Sequence, residues 1–208
     1  AVAGTDSGRT HTFTINTTNV VYTYDESQKD LFCSGYLALT PDSSLDMGEI
    51  QLKVTSYDTS YSIVVYLKQN GTTKKTIPKL GTQTGQLTSS VITVTNVTPG
   101  VYDLVIVKSG CLDYTIKNVV VTADGVDLTS HSNPAIRNIT LLAGNMDTNG
   151  EINLQDLNQF RSNFGKSGSN ITNSNADIDG NGIVNLQDLN VFRSSYGKSA
   201  LSDSQFEY

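Results

Sequence analysis

The sequence predicts a β-sandwich followed by a small all-α region that is built from two loop–helix repeats. Residues 1–142 contain short segments rich in Val, Ile, Thr and Tyr that are separated by turn residues, a pattern typical of sandwich strands. Residues 145–166 recur as residues 177–198, with 14 identities over 22 aligned positions. This duplication indicates that the C-terminal region is a structural unit distinct from the sandwich.

Eight segments carry the strand pattern, and Asn70-Gly71 between two of them is a strong signal for a two-residue hairpin turn. Strands at this spacing favour an immunoglobulin-like arrangement. Residues 1–30 are expected to form an N-terminal extension or to add strands to the sandwich. The predicted strands are residues 12–24, 31–39, 49–56, 61–68, 72–77, 90–97, 101–108 and 114–122.

Each repeat reads as a twelve-residue loop followed by a helix. Asn or Asp side chains, which offer oxygen ligands, occupy loop positions 1, 3, 5 and 12. A glycine occupies position 6, where the chain must turn sharply. Calcium binds about six to eight oxygens in loops of this kind, and position 7 contributes its backbone carbonyl. The predicted ligands are Asn145, Asp147, Asn149, Glu151 and Asp156 in the first loop, and Asp177, Asp179, Asn181, Ile183 and Asp188 in the second.

A single loop of this composition is equally well explained as an Asx-rich turn that caps a helix. Two copies that are followed by the same helix favour calcium binding, with one ion in each loop. Only the exit helix of an EF-hand is expected, because residues 138–144 are too short and too β-branched to form an entering helix. Asn153 and Asn185, at position 9, are expected to act through water.

The two loops differ in charge. The first offers two side-chain carboxylates, because Asn145 stands at position 1, whereas the second offers three. Ligand charge is one of the terms that set calcium affinity. The second site is therefore predicted to be the tighter one.

The repeated helices present two faces. One face is apolar at spacings of three and four residues and is predicted to form a core shared by the two helices. The other face combines a leucine with Gln, Asn and Arg, as in an interface that has an apolar centre and a polar rim. The predicted core residues are Leu157, Phe160, Phe164, Leu189, Phe192 and Tyr196. The predicted partner-binding residues are Leu154, Gln155, Asn158, Arg161, Ser162, Lys166, Leu186, Gln187, Asn190, Arg193, Ser194 and Lys198.

Paired loop–helix units of this length, with Asp at position 12 of each loop, resemble a dockerin over residues 143–198. Dockerins are plug modules of cellulosomes, the extracellular assemblies for polysaccharide degradation, and the resemblance implies calcium-dependent binding of the partner-binding face to a cohesin. Leu154-Gln155 and Leu186-Gln187, at loop positions 10 and 11, are similar to the pairs of type II dockerins. The resemblance assigns residues 136–198 to the dockerin and residues 199–208 to a C-terminal tail. Near-identity of the two faces also implies that the plug could dock in two orientations.

Residues 94–121 (VTNVTPGVYDLVIVKSGCLDYTIKNVVV) resemble the final strands of carboxypeptidase-regulatory-like sandwiches, in particular the X-module that precedes the dockerin in some scaffoldins and anchoring proteins. Residues 32–36 resemble that module's opening strand. The resemblance implies an X-module over residues 31–135 that stabilises the dockerin. A short turn-rich connector, residues 124–133, predicts that the two modules pack as one unit.

Composition excludes several classes of function. A content of 16% charged and 37% hydrophobic residues suits a soluble protein. Residues 143–208 hold eight acidic and four basic side chains, and this acidity argues against a nucleic-acid partner. No apolar run is long enough to span a bilayer. The two histidines, His11 and His131, lie in Thr/Ser-rich surroundings, and no nucleophile or phosphate-binding motif is present. We expect a secreted, non-catalytic protein.

A function of a different class is a carbohydrate-binding β-sandwich that is fused to an enzyme-type dockerin. Because the chain has no Trp, an aromatic sugar platform would have to come from tyrosines such as Tyr57, Tyr61 or Tyr66. The two cysteines, Cys33 and Cys111, either form a disulfide or remain two buried thiols, and the sequence leaves both arrangements open.

Overall fold

The protein is described by a computed structural model that covers residues 11–15, 20–24, 47–57, 61–70, 72–79 and 86–208. The chain divides into two compact units, Ala1–Met47 and Gly48–Tyr208. In the first unit, strands β1 (His11–Ile15) and β2 (Val20–Tyr24) form an antiparallel hairpin. The segment predicted as one strand over residues 12–24 is therefore two strands. The predicted strand at residues 31–39, with Cys33, lies outside the described residues.

The second unit holds the sandwich strands and both repeats. Its strands are β3 (Gly48–Tyr57), β4 (Ile63–Gln69), β5 (Thr72–Lys79), β6 (Leu87–Val97), β7 (Gly100–Val107), β8 (Gly110–Cys111), β9 (Tyr114–Val121), β10 (Val126–Asp127), β11 (Ile139–Thr140), β12 (Ala143–Asn145) and β13 (Gln205–Glu207). Its helices are α1 (Pro134–Arg137), α2 (Leu154–Asn163), α3 (Leu186–Ser195) and α4 (Ala200–Asp203).

Two sheets form the sandwich. In the first, β3 pairs antiparallel with β6, and the short strands β10 and β11 also pair with β3 in parallel. The second has the strand order β13-β9-β7-β4-β5. Strands β4 and β5 are joined through Asn70, with Gln69 opposite Thr72, as the hairpin signal predicted. The β-rich architecture predicted from the strand pattern is thus present.

Alternating burial along the strands explains why the sheets pack. In β3, Ile50, Leu52 and Val54 are at most 1% exposed, while the residues between them face outward. The inward residues of both sheets belong to one hydrophobic core. The same core continues into the repeats and includes Phe160 and Phe192. Burial of this continuous apolar surface holds the sandwich and the repeats together.

The segment predicted to be a connector is part of the first sheet. Val126 lies opposite Ile50 in β10, and a 3₁₀ turn (Leu128–Ser130) leads into α1. Asn133 caps α1 by accepting a 3.0 Å hydrogen bond from the Ala135 N–H, with Pro134 at the first helical position. Two-residue parallel strands carry no sequence periodicity, which is why the pattern indicated only turns.

The prediction of an all-α C-terminal region is wrong in part, because this region also contains strands. Strand β12 pairs with β8, and the tail returns to the sandwich as β13, which pairs in parallel with β9. Phe206 of the tail stacks on Tyr114 at a ring distance of 5.1 Å. The repeats are therefore attached to the sandwich at both ends.

Among the described residues, no helix is long and apolar enough to cross a bilayer.

Candidate metal centres and helix faces

Each repeat begins its helix in the same way. The Asn153 side chain accepts a 2.8 Å bond from the Gln155 N–H, and Asp156 accepts a 2.9 Å bond from the Asn153 N–H. Asn185 and Asp188 repeat this reciprocal capping box at the start of α3. Asn153 and Asn185 are thus helix caps. The Asn-x-x-Asp pattern before an apolar run was the sequence signal for this role.

The position-12 carboxylates also close the loops. Asp156 and Asp188 are both 0% exposed. Asp156 Oδ1 accepts bonds of 2.7 and 3.2 Å from the N–H groups of Met146 and Asp147. Asp188 Oδ1 accepts matching bonds of 2.8 and 3.1 Å from the second loop. With the bond from the Asn153 or Asn185 N–H, three N–H donors hold each carboxylate. Of its roughly four lone pairs, one is left for an ion.

Positions 3 and 5 form a chain of turns inside each loop. Asp147 accepts bonds from the backbone and side-chain nitrogens of Asn149, and Asn149 Oδ1 accepts a 2.8 Å bond from the Glu151 N–H. Asp179 and Asn181 repeat the arrangement. Gly150 and Gly182, at position 6, have φ values of +87° and +90°. The left-handed turn expected from the glycines is present in both loops.

The position-1 residues carry the most informative atoms. Asn145 Oδ1 and Asp177 Oδ1 are buried and have no hydrogen-bond partner among the described residues. A buried polar oxygen that is left unpaired costs free energy unless something else binds it. The same atom is orphaned at the same position of two loops. This fits a pair of sites that are completed by cations.

Three carboxylates converge in the second loop. Ligand oxygens of Asp177, Asp179 and Asp188 lie within 4.8 Å of one another. Burial raises the pKa of Asp179, and the neighbouring charge of Asp177 raises it further. Burial likewise raises the pKa of Asp188, with an added contribution from Asp179. Oxygen-only donors crowded in this way are the kind of set that hard divalent cations bind.

Position 7 lies at the rim of each loop. Glu151 and Ile183 are exposed, and each forms a single β-bridge with a segment that follows the other repeat's helix. Glu151 pairs with Ser199, and Ile183 pairs with Ser167. Their predicted role as carbonyl ligands therefore stays a prediction.

Backbone bonds between the repeats show pseudo-twofold symmetry. Val184 exchanges bonds of 2.8 and 3.0 Å with Gly165 and Lys166, just after α2. Ile152 exchanges bonds of 2.8 and 2.9 Å with Gly197 and Lys198, just after α3. Each of these positions differs from its counterpart by the repeat length of 32 residues. Each loop is thus clamped by the end of the other repeat's helix.

The core between the helices is narrower than predicted. Phe160 and Phe192 are each 1% exposed, and their rings stack at 5.8 Å. Leu157 and Leu189 pack partly buried against the core. The prediction that Phe164 and Tyr196 belong to this core is wrong, because their side chains are 47% and 48% exposed. Each is the first residue beyond its helix, with extended ψ, so it leaves the helical path and meets the core only at its edge.

The predicted partner-binding residues lie at the surface. Leu154 and Leu186 are 58% and 64% exposed at the start of their helices. Arg161, Arg193 and the other polar members are also exposed, except Lys166, which is half-buried. Matched apolar and basic side chains therefore stand on two symmetry-related faces.

Polar contacts that the sequence did not predict join the sandwich to the repeats and hold the first repeat helix. Ser109 donates a 2.9 Å bond to Asn175 Oδ1, and Tyr61 bonds the hydroxyl of Ser174. Within the repeat region, Asn163, 1% exposed, accepts bonds of 2.7 and 2.9 Å from the N–H and hydroxyl of Thr172. Short polar contacts between distant segments carry no periodic signal, which is why the sequence did not predict them. Cys111 is buried and forms no disulfide within the described residues, and burial raises the pKa of its thiol to about 12.

Comparison with known proteins identifies a fold. No protein-family model matches the chain, and no curated protein matches it significantly. Two crystal structures from Acetivibrio cellulolyticus are similar, namely an N-terminal interface mutant and a C-terminal interface mutant of a type II cohesin–X-dockerin complex. In both cases the TM-score is 0.57, the sequence identity is 20%, and the similarity covers 74% of this chain and 98% of the matched chain. The chain thus shares its fold with a component of these complexes.

Proposed function

We propose that this chain is a non-catalytic, calcium-dependent protein-binding module that docks into a cohesin. In this proposal the two loop–helix repeats form a dockerin-like plug, and the sandwich is an X-module that stabilises it. The observation that carries the proposal is the pair of matching exposed helix faces, each positioned by a loop with an orphaned buried oxygen at position 1. An anchoring role follows, with the parent polypeptide held in an extracellular assembly or at a cell surface.

Two calcium ions fit the loops. The orphaned oxygens of Asn145 and Asp177 and the converging carboxylates of the second loop are hard donors that calcium accepts. An ion present at about a thousandfold over its dissociation constant would stabilise the folded repeats by roughly 4 kcal/mol. A two-helix region with one central aromatic pair has little core of its own, so ion binding would decide whether the helix faces are presented.

The faces suit a partner with an apolar patch and acidic neighbours. Leu154 and Leu186 would enter the apolar patch, while Arg161 and Arg193 would meet carboxylates at its rim. A cohesin is the partner that the dockerin resemblance implies, and the fold shared with chains of type II cohesin–X-dockerin complexes supports this choice. The Leu-Gln pairs at loop positions 10 and 11 favour the type II class.

The binding assay that tests the proposal uses the full chain and immobilised type I and type II cohesins. We expect retention on a type II cohesin in calcium and loss of retention in chelator. The double variant Leu154→Ala/Leu186→Ala should also lose retention. Leu87→Ala is a suitable control, because Leu87 is as exposed as Leu154, at 58%, but lies on the sandwich. Binding that persists in chelator, or binding to neither cohesin class, would refute the proposal.

The carbohydrate-binding alternative has no comparable support. Tyr57 and Tyr61 line a small cavity at the junction with the second loop, together with Lys108 and Asp177. Tyr61 also bonds Ser174 of the repeat region. Tyrosines used in this way do not form an open platform for a sugar. Retention of the chain on cellulose or xylan gels would reinstate this alternative.

A further inference from the structure

One turn of the sandwich lies against both candidate metal loops. The sandwich turn, residues 108–111, comprises the two residues after β7 and the short strand β8. Gly110 of this turn lies opposite Asn145 in the β8–β12 pairing. The Asn145 side-chain nitrogen donates a 3.5 Å bond to the backbone carbonyl of Cys111. On the other side of the turn, Ser109 bonds Asn175, which is two residues before Asp177. The turn therefore touches the entrance of each loop.

The contact with Cys111, a long hydrogen bond of 3.5 Å, favours one orientation of the Asn145 amide. A carbonyl oxygen only accepts hydrogen bonds, so the amide nitrogen must face Cys111 and the amide oxygen must face away from it. Asn145 is 4% exposed, and its Oδ1 has no hydrogen-bond partner in the described part of the chain. The sandwich thus turns this oxygen toward the first loop, where it is available to an ion.

We propose that the sandwich turn positions the first ligand of the first calcium loop through the Cys111 carbonyl, so that Asn145 suits this site better than the more highly charged Asp. The inference rests on the proposed calcium binding. An Asp at this position has no donor to offer, and one of its oxygens would lie buried against the Cys111 carbonyl oxygen. Repulsion between these two acceptors would offset the gain from an added ligand charge.

The second loop shows why Asp is suitable there. Asp177 Oδ2 accepts a 2.9 Å bond from the Gly182 N–H of its own loop, which leaves Oδ1 as the orphaned atom. The Oδ2 atom of Asp177 is thus held by a donor of its own loop. The first ligand of loop two is held by its own loop, whereas that of loop one is held by the sandwich.

Calcium titration of the ¹⁵N-labelled full chain tests the inference, because the amide resonances of Gly150 and Gly182 report on the two loops separately. For Asn145→Asp we expect a first-loop dissociation constant equal to or higher than that of the parent, although the ligand charge has increased. A lower dissociation constant would overturn the inference. Asp177→Asn is the matched control, and we expect it to weaken only the second loop, by about tenfold or more.

A second variant tests the turn without changing any ligand. Gly110 has a φ of +78°, and a Cβ there would lie 3.2 Å from Asn175, so Gly110→Ala should displace the turn. We expect this variant to weaken calcium binding to the first loop about threefold or more. Gly125→Ala is the control, because Gly125 has a similar φ of +81° but packs against Glu49 instead of the loops. Equal effects of the two variants on calcium affinity, or unchanged affinity in Gly110→Ala, would overturn the inference.

The same titration separates failure of this inference from failure of the proposed function. If neither Gly150 nor Gly182 responds to calcium in the parent chain, the proposed function fails. If both respond and Asn145→Asp binds more tightly than the parent, only the positioning role of the sandwich turn fails.

Discussion

The two repeats form nearly the same hydrogen bonds but have different electrostatic surroundings. The position-12 carboxylates accept bonds of 2.7, 3.2 and 2.9 Å in the first repeat and 2.8, 3.1 and 2.9 Å in the second. Position 1, in contrast, differs between the repeats. In the first loop it is the neutral Asn145, which is directed by the sandwich, and in the second it is the acidic Asp177, which is held by its own loop. The same backbone geometry therefore coexists with two candidate metal sites of different charge.

Two further differences lie at the edges of the repeats. At loop position 4, Thr148 has a φ of +61°, whereas the second loop has Gly180 with a φ of +74°. At the end of the second helix, Lys198 forms a 2.8 Å ion pair with Asp203 of α4, and Lys166 forms no such pair within the described residues. The first repeat is thus the more strained, and of the two terminal lysines only Lys198 is held by a carboxylate within the described residues.

Calcium removal should give the largest difference between the repeats. The second loop has three converging carboxylates and the first has two, so the first loop should lose its ion at a higher free calcium concentration. Complete removal should cost roughly 4 kcal/mol per site where calcium had been at about a thousandfold excess over its dissociation constant. A chelator-buffered titration that follows Gly150 and Gly182 measures the order. Release from the second loop first would contradict the comparison.

Substitution of the exposed leucines tests whether the two faces are equivalent. If the plug docks in two orientations, Leu154→Ala or Leu186→Ala alone should lower cohesin affinity only about twofold, because one orientation remains. The double variant should lose about 2 kcal/mol or more, as for a central anchor residue. Calorimetry with the cohesin measures this. If each single substitution abolishes binding, docking in two orientations is wrong.

Removal of one carboxylate should have opposite effects with and without calcium. Since the folded-state pKa of Asp179 is raised, its contribution to stability is present below the ordinary carboxyl pKa of 3.8 and is lost as the pH rises through the raised value. At pH 7 in chelator, Asp179→Asn should therefore raise the melting temperature. In calcium it should weaken the second loop about tenfold, or by about 1.4 kcal/mol.

Asp147→Asn is the matched control for this prediction, because it changes the same position in the loop that has fewer carboxylates. It should give little or no stabilisation in chelator. An equal rise in melting temperature for both variants would show that crowding of carboxylates does not distinguish the loops.

Relief of backbone strain should give the smallest effect. A left-handed φ is unfavourable for a β-branched residue, so Thr148→Gly should stabilise the chain by about 1 kcal/mol, in chelator as in calcium. The reciprocal change Gly180→Thr should destabilise it by a similar amount. Urea unfolding measures both. A less stable Thr148→Gly chain would show that residue 148 is not strained.

Much of the fold follows from local sequence pattern. The strand predicted at residues 114–122 is observed as Tyr114–Val121. Each predicted loop has its exit helix, which begins at loop position 10, at Leu154 and Leu186. These elements carry strong periodicity and caps that act within a few residues. The predicted ligand positions also follow from local spacing, and the buried oxygens of Asn145 and Asp177 are consistent with it.

The unpredicted parts depend on contacts between distant segments. Strands β10, β11 and β13 are two or three residues long and pair in parallel with remote strands, so no local period marks them. Phe164 and Tyr196 continue the helical spacing in sequence, but the helices end one residue earlier. The role of the Cys111 carbonyl could not be predicted either, because any residue supplies such a group and only the fold brings it to Asn145.

The most direct measurement is a crystal structure of the full chain grown in excess calcium. Two ions should be present, one about 2.3–2.6 Å from Asn145 Oδ1 and one at the same distance from Asp177 Oδ1. Both helices should remain ordered, with Leu154 and Leu186 exposed. An empty loop under these conditions, or an ion bound without its position-1 oxygen, would contradict the proposal that two calcium ions complete the dockerin-like plug.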